Sequence, residues 1–304
     1  MFYLKITFHL IIMQPIVKII GLIICWITII LITQKATSQV HFQGIVVDSS
    51  TKKPVPFAIV RGLSFGSYCD SAGTFLFKNI LDDSAYISCV GYLDKSVKIN
   101  KEKKDTICLV PFYKSLVPVI IGDYEWQKNK KIQLGRLDGK SKFRVNVPAT
   151  GLTVLKYFPN PEPLKNYIIS ELILRVDESA SINYSTKFRV RVFQAKDNVT
   201  VGEDILNAPD VFNLTTIKEN LAHVDLRKFE LNIPPTGCFI GVEFIGTNEE
   251  PNIGNTLSLK GWLAPTFEDG LVMTRYFSTT FRPLLFGGKQ KANLYFSITL
   301  FEIK

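Results

Sequence analysis

The feature that most constrains this chain is the one-sided alternation of apolar residues through its second half. In Lys187-Phe188-Arg189-Val190-Arg191-Val192, the apolar set is Phe188, Val190 and Val192, and the other face is basic. Cys238 to Phe244 places Cys238, Ile240, Val242 and Phe244 on one face. Asn293 to Leu300 does the same with Leu294, Phe296, Ile298 and Leu300, and Ile168 to Val176 with Leu172, Leu174 and Val176. Successive side chains of a strand point to opposite faces, so period-2 alternation marks strands with one face to bury. Turn clusters separate these segments at Asp177-Glu178-Ser179, Asp197-Asn198, Pro234-Pro235-Thr236-Gly237 and Gly246-Thr247-Asn248. Two antiparallel sheets packed face to face satisfy this pattern. The expectation is an all-β chain whose residues 132–304 form an antiparallel β-sandwich, with a jelly roll as one form such a sandwich takes.

The first half carries its own strand and turn signals. Gly44-Ile45-Val46-Val47-Asp48 runs into a polar cluster at Ser49-Ser50-Thr51. Lys53-Pro54-Val55-Pro56 then restricts the backbone ahead of Phe57-Ala58-Ile59-Val60. Asp70-Ser71-Ala72-Gly73 has Asp first and Gly fourth, the preference of a type I turn, and Thr74-Phe75-Leu76-Phe77 returns as a strand. Ile87-Ser88-Cys89-Val90-Gly91-Tyr92 ends where a strand must bend, with Tyr92 placed to cover the core edge. In this order the signals resemble the carboxypeptidase-regulatory-like domain found in exported proteins of Bacteroidetes-type bacteria. The resemblance implies a small transthyretin-like (prealbumin-like) β-sandwich over 39–111, an accessory module without chemistry of its own. A looser resemblance covers Val201-Gly202-Glu203-Asp204-Ile205-Leu206, His223-Val224-Asp225-Leu226 and Phe239 to Phe244, which look like the C-terminal region of proteins that begin with that domain. It implies no assigned activity.

The front end bears on compartment. Ile19 to Thr33 is an apolar run, preceded by Lys18 and followed by Ala36-Thr37-Ser38. That is the layout of a secretory signal peptide over residues 1–38, with Gln39 as the first mature residue. An uncleaved anchor is the competing reading, although the run is shorter than the roughly 20 apolar residues that span a bilayer. Either Met1 or Met13 could serve as the start, and Cys25 lacks the small preceding residue that lipidation prefers. Cleavage removes three lysines and no acid, leaving 33 basic against 27 acidic residues, a mild excess of +6. Its clusters, Lys101/Lys103/Lys104 and Lys128/Lys130/Lys131, sit at segment ends as solvated charge does. An exported chain meets little nucleic acid, so that partner is excluded, and membrane contact comes only through the signal segment or outer-membrane association. A polar stretch over 112–131, with one apolar strand at Leu116–Ile121, reads as a linker. Of the four remaining cysteines, Cys69, Cys89 and Cys108 lie in the first domain and Cys238 in the second. An oxidising compartment permits at most one intradomain bridge, and buried thiols are the alternative.

The motifs of known catalytic chemistry are incomplete in this chain. Zinc carboxypeptidases bind metal through an H-x-x-E pair plus a distant His. Here Gly44 stands three residues after His41 and Leu226 three after His223, so that activity does not carry over. Gly62-Leu63-Ser64-Phe65-Gly66 matches G-x-S-x-G, but Ser67-Tyr68-Cys69-Asp70 behind it is strand and turn where a nucleophile elbow needs a helix. A hairpin between Ile59-Val60 and Ser67-Tyr68 explains the glycines better. Gly287-Gly288-Lys289 lacks the spacing of a phosphate loop and reads as a turn. Asp82-Asp83 and Glu249-Glu250 read as solvated loop acids, with calcium the sharper alternative. No cofactor is expected. The remaining candidates are Trp126, Trp262, Tyr276, Phe277 and Tyr295, which either stack on a ligand such as a sugar ring or fill a core. Trp262 and Tyr276 are the expected ligand contacts. The functional expectation is a non-enzymatic, exported protein of the periplasm, outer membrane or cell surface, binding a glycan or an envelope protein. The alternative is a hydrolase, peptidase-associated or esterase-like, with an unrecognised site in 132–304. That alternative predicts a cleft with convergent polar groups and perturbed acids.

Overall fold

The computed structural model describes residues 41–63, 65–78, 80–100, 103–112, 130–140, 143–146, 151–177, 187–206, 210–213, 217–245, 258–277, 280–287 and 290–303. The expected signal segment over 1–38, the strand at Leu116–Ile121, Ser64, Trp126, Glu249-Glu250 and Gly288-Lys289 lie outside these residues. His41–Lys304 forms one compact unit. Among the described residues the regular structure is β, apart from a single 3₁₀ turn at Arg227–Phe229. No helix among them is long and apolar enough to cross a membrane.

Seven strands come first: β1 (His41–Asp48), β2 (Ile59–Arg61), β3 (Gly66–Tyr68), β4 (Thr74–Lys78), β5 (Ser84–Ser88), β6 (Lys95–Lys98) and β7 (Asp105–Leu109). They form two sheets, β4-β1-β7 and β3-β2-β5-β6. β1 pairs antiparallel with β4 and parallel with β7. Phe42, Val46, Val60, Phe75, Ile87 and Leu109 are among the residues buried between the sheets, so this is the expected small sandwich. Its turns follow the sequence chemistry. Asp70 Oδ1 accepts from the backbone N–H of Ala72 (2.9 Å) and Thr74 (2.8 Å), and Gly73 takes a left-handed φ of 72°. The G-x-S-x-G stretch closes the hairpin β2–β3, with Ile59 opposite Tyr68 and Arg61 opposite Gly66. Tyr92 donates to Asp48 Oδ2 at 3.1 Å and packs on the core edge.

The second set is β8 (Lys131–Gly135), β9 (Phe143–Asn146), β10 (Leu152–Phe158), β11 (Asn166–Arg175), β12 (Lys187–Ala195), β13 (Val201–Asp204), β14 (Phe212–Asn213), β15 (Ile217–Lys218), β16 (Leu221–Asp225), β17 (Leu231–Asn232), β18 (Cys238–Ile245), β19 (Ser258–Ala264), β20 (Val272–Tyr276), β21 (Arg282–Pro283), β22 (Leu285–Phe286), β23 (Gln290–Leu294) and β24 (Phe296–Ile303). One sheet runs β13-β12-β18-β10-β20-β21, with β14 on β12, and a second runs β15-β16-β11-β24-β8, with β17 on β11. A third, β22-β23-β19-β9, flanks them. The two large sheets are antiparallel throughout, and β10, β11, β12, β16 and β18 fall alternately in one and the other, a jelly-roll-like traffic. The residues expected on the inner faces are there: Phe188, Val190 and Val192 meet Leu172, Leu174, Val176, Leu294, Phe296, Ile298 and Leu300 in one core. A bulge between Ile169 and Glu171 shifts the phase of β11, so Tyr167 and Ile169 join Leu172 on the same side.

The basic face of Lys187–Val192 is itself covered at Arg189, which is 1 % exposed. The polar end of this sheet's second face is covered by residues of the first sandwich. The apolar end of that face carries its own small cluster of Leu155, Phe193, Ala195, Phe239 and Met273.

Candidate functional site

Strand register builds the site. Arg189 on β12 stands opposite Glu243 on β18, Glu243 opposite Thr153 on β10, and Thr153 opposite Arg275 on β20. Four adjacent strands thus place Arg189, Glu243, Thr153 and Arg275 in one cross-strand row, on the face turned away from the main core. Arg191, two residues along β12, shares that face. Glu243 Oε2 accepts from Arg191 Nη1 at 2.6 Å and lies 3.6 Å from Arg189 Nη1. Arg191 Nη2 reaches Asp204 on β13 at 2.6 Å. Arg275 donates from Nε to Thr153 Oγ1 at 3.4 Å, and its guanidinium lies over the rings of Phe281 (4.5 Å) and Phe193 (5.4 Å).

The first sandwich closes this row from above. Tyr68, at the end of β3 and 2 % exposed, donates its hydroxyl to Glu243 Oε1 at 2.8 Å. Phe277 is the wedge beside that bond, with its ring centroid 5.5 Å from that of Tyr68. Its backbone has a left-handed φ of 40°, a conformation that costs energy in a bulky residue and fixes the ring's direction. Gly151 makes this possible, because a Cβ there would lie 2.3 Å from the Phe277 ring and its own φ is 90°. Phe57 (φ 55°) makes a second contact between the two sets of strands, with Lys187 Nζ 5.1 Å from its ring centre.

Between the two sandwiches lies a cleft of about 230 Å³. Arg189, Arg191, Arg275, Glu243 and Asp204 line it from the second sandwich. Arg61, Tyr86, Ser88, Cys89, Tyr92 and Asp94 line it from the first, and Phe112 and Phe277 flank it. Arg61 lies over the Tyr86 ring at 4.3 Å, and Tyr86 donates to Asp94. Burial alone would raise the Glu243 pKa, but Arg191, Arg189, Arg275 and the Tyr68 hydroxyl outweigh it and hold the carboxyl at about 2. Burial and then Glu243 push the Tyr68 phenol well up, and burial pushes the Cys89 thiol up. Burial, with Arg191 adding to it, lowers Arg275. The arrangement therefore presents fixed positive charge beside an ionised, doubly engaged carboxylate. It is suited to holding an anion. Glu243 is thereby held ionised, and burial favours the protonated thiol at Cys89.

The expected site residues lie elsewhere. Trp262 on β19 is half-buried, its ring centroid 4.7 Å from that of Tyr295 and its indole N–H donated to Glu268 Oε2 at 2.8 Å. Arg136 stands 5.5 Å from the Trp262 ring centre. Tyr295 is 2 % exposed and faces Arg175. Tyr276 ends β20, 57 % exposed, edge-on to Phe277 with centroids 5.0 Å apart. Trp262 and Tyr276 thus belong to different sheets, and only Tyr276 adjoins the cleft, through Phe277. Cys69, Cys89, Cys108 and Cys238, the cysteines among the described residues, are free thiols. No group of three or more His, Cys, Asp or Glu side chains is arranged to hold a metal among the described residues. The arginine row is not apparent from sequence, although Glu243 is a signal: it is the one charged residue in the otherwise apolar strand Cys238–Ile245.

No protein-family profile matches the chain, and no curated protein matches it. Among solved structures, a DUF3823 family protein from Bacteroides uniformis aligns over 87 % of this chain and 98 % of its own, at 12 % identity and a TM-score of 0.21. BcpA, the major pilin subunit of Bacillus cereus, aligns over 84 % of this chain and 69 % of its own, at 9 % identity and a TM-score of 0.17. Similarity at this level carries no argument about fold or function.

Proposed function

We propose that this chain is a non-enzymatic binding module of the cell envelope, exported through its N-terminal segment, that takes a glycan in the cleft between its two sandwiches. The observation that carries the reading is the cleft itself, in which guanidinium groups and aromatic rings converge. Sugars are commonly held by aromatic faces together with a few oriented polar groups. Tyr276, exposed and braced by Phe277, is the expected ligand contact nearest to it. Trp262, engaged by Tyr295, Arg136 and Glu268, ranks second. The order of strands and turns from Phe42 to Tyr92 supports an accessory module of the carboxypeptidase-regulatory-like kind at the front. The layout of residues 1–38 supports export to the periplasm, outer membrane or surface.

A glycan array probed with the full chain in detergent tests this, alongside cell fractionation with N-terminal sequencing. Binding to one glycan class, lost on Tyr276→Ala or on blocking the cleft, is the expected result. Absence of binding to every glycan would overturn it. A second reading has its own observation: the Tyr68–Glu243 bond and the Phe277 wedge would serve a scaffold whose cleft only cements two sandwiches. An envelope pull-down that retains a protein partner on a glycan-silent chain would favour the scaffold.

A further inference from the structure

The charges around the cleft do not cancel. Arg61, Arg189, Arg191 and Arg275 line it against Asp94, Asp204 and Glu243, a surplus of one positive charge. The buried part repeats the imbalance, with three guanidinium groups facing Glu243 and Asp204. Arg189 is 1 % exposed, yet its only ion pair among the described residues is the long 3.6 Å approach to Glu243. The Nε atoms of Arg189 and Arg191 are buried and have no acceptor among the described residues. Arg275 hydrogen-bonds no carboxylate among those residues, only the Thr153 hydroxyl. A buried guanidinium without a full set of acceptors carries a desolvation cost that a partner would relieve.

We propose that this cleft binds one carboxylate group of a small ligand, held between Arg189, Arg191 and Arg275. Guanidinium forks match a planar carboxylate with two parallel N–H···O bonds. One negative charge completes the balance, whereas a phosphate dianion would overshoot it. Tyr86, Tyr92 and Phe277 supply apolar walls for the body that bears the carboxylate. Acidic sugars and N-acylated amino acids both offer that chemistry. The inference rests on the cleft being the binding site of the proposed module, and it adds which group enters.

Calorimetric titration of the full chain in detergent, at fixed ionic strength, tests it with four probes: glucuronate, N-acetylglycine, glucose and inorganic phosphate. We expect one carboxylate to bind per chain, at least tenfold tighter than glucose or phosphate. Tighter binding of glucuronate identifies an acidic sugar as the source, and tighter binding of N-acetylglycine identifies an acylated amino acid; either supports the site. Arg275→Gln should weaken carboxylate binding at least tenfold. Arg61→Gln, at the first sandwich's side of the cleft, should weaken it several-fold and guards against a misfolded Arg275 variant, which a far-ultraviolet spectrum would expose. No heat with either carboxylate, or unchanged affinity in both folded variants, would overturn the inference. Phosphate bound as tightly as carboxylate would overturn it too. A neutral glycan that binds on the array while both carboxylates fail would sink the carboxylate site and leave the module reading standing.

Discussion

Glu243 is ringed by Arg189, Arg191 and Arg275, so neutralising it leaves three guanidinium groups facing Asp204 alone. Breaking a buried pair by removing one partner costs about 3–5 kcal/mol, and we expect Glu243→Gln to lose stability in that range by urea unfolding. The pH dependence has a definite sign. The folded carboxyl is held at about 2, below its ordinary 4.5, so its contribution is fully present above pH 4.5 and is lost as pH falls through about 2. Wild-type stability should drop across that window, and the drop should be smaller in Glu243→Gln. An unchanged acid profile would show that other carboxyls govern it. Tyr68→Phe removes one donor to the same carboxylate and should cost about 1.5–3 kcal/mol, the usual worth of a hydrogen bond to a charged group. These residues were the least legible in the sequence. Arg189 and Arg191 follow the alternation of any amphipathic strand, and nothing local says that a second sandwich covers their face.

The strands themselves were far more legible, because burial on one face writes itself into every second residue. β12, β18 and β24 present the inner faces that their alternation predicts. β18 shows the limit: all eight of its residues are buried, since Phe239 and Glu243 on its second face are covered too. The continuous apolar run Cys238–Ile245 carried that message, and only a reading by single faces hid it. Turn chemistry was equally readable at Asp70–Gly73 and in the β2–β3 hairpin. The left-handed backbone of Phe277 was not, because phenylalanine gives no local hint of it. The Gly151–Phe277 contact is a clean test of that wedge. Gly151→Ala should cost more than about 1–3 kcal/mol, since it combines overpacking with a left-handed φ. The same change in a Phe277→Ala background should cost less, and a double-mutant cycle with no coupling would refute the wedge.

At the scale of the molecule, the two sandwich cores share one compact unit, joined through a buried ionic row and two aromatic contacts. We expect a single calorimetric transition for the wild type and two separated transitions for Tyr68→Phe combined with Phe277→Ala. The thiols add a further check. Cys69 and Cys238 are pushed up to about 12, chiefly by burial, and the four cysteines among the described residues are free, so reductant should leave the melting temperature unchanged. The placement of β1 and β24 has a mechanical meaning. β1 lies between β4 and β7, and β24 between β11 and β8, so the first and last described strands are both interior to their sheets. Tension applied through either strand meets a ladder of hydrogen bonds on each of its two edges, whereas a strand at a sheet edge is held by one. A pull on the two ends of the described chain would therefore have to break two ladders to free either strand.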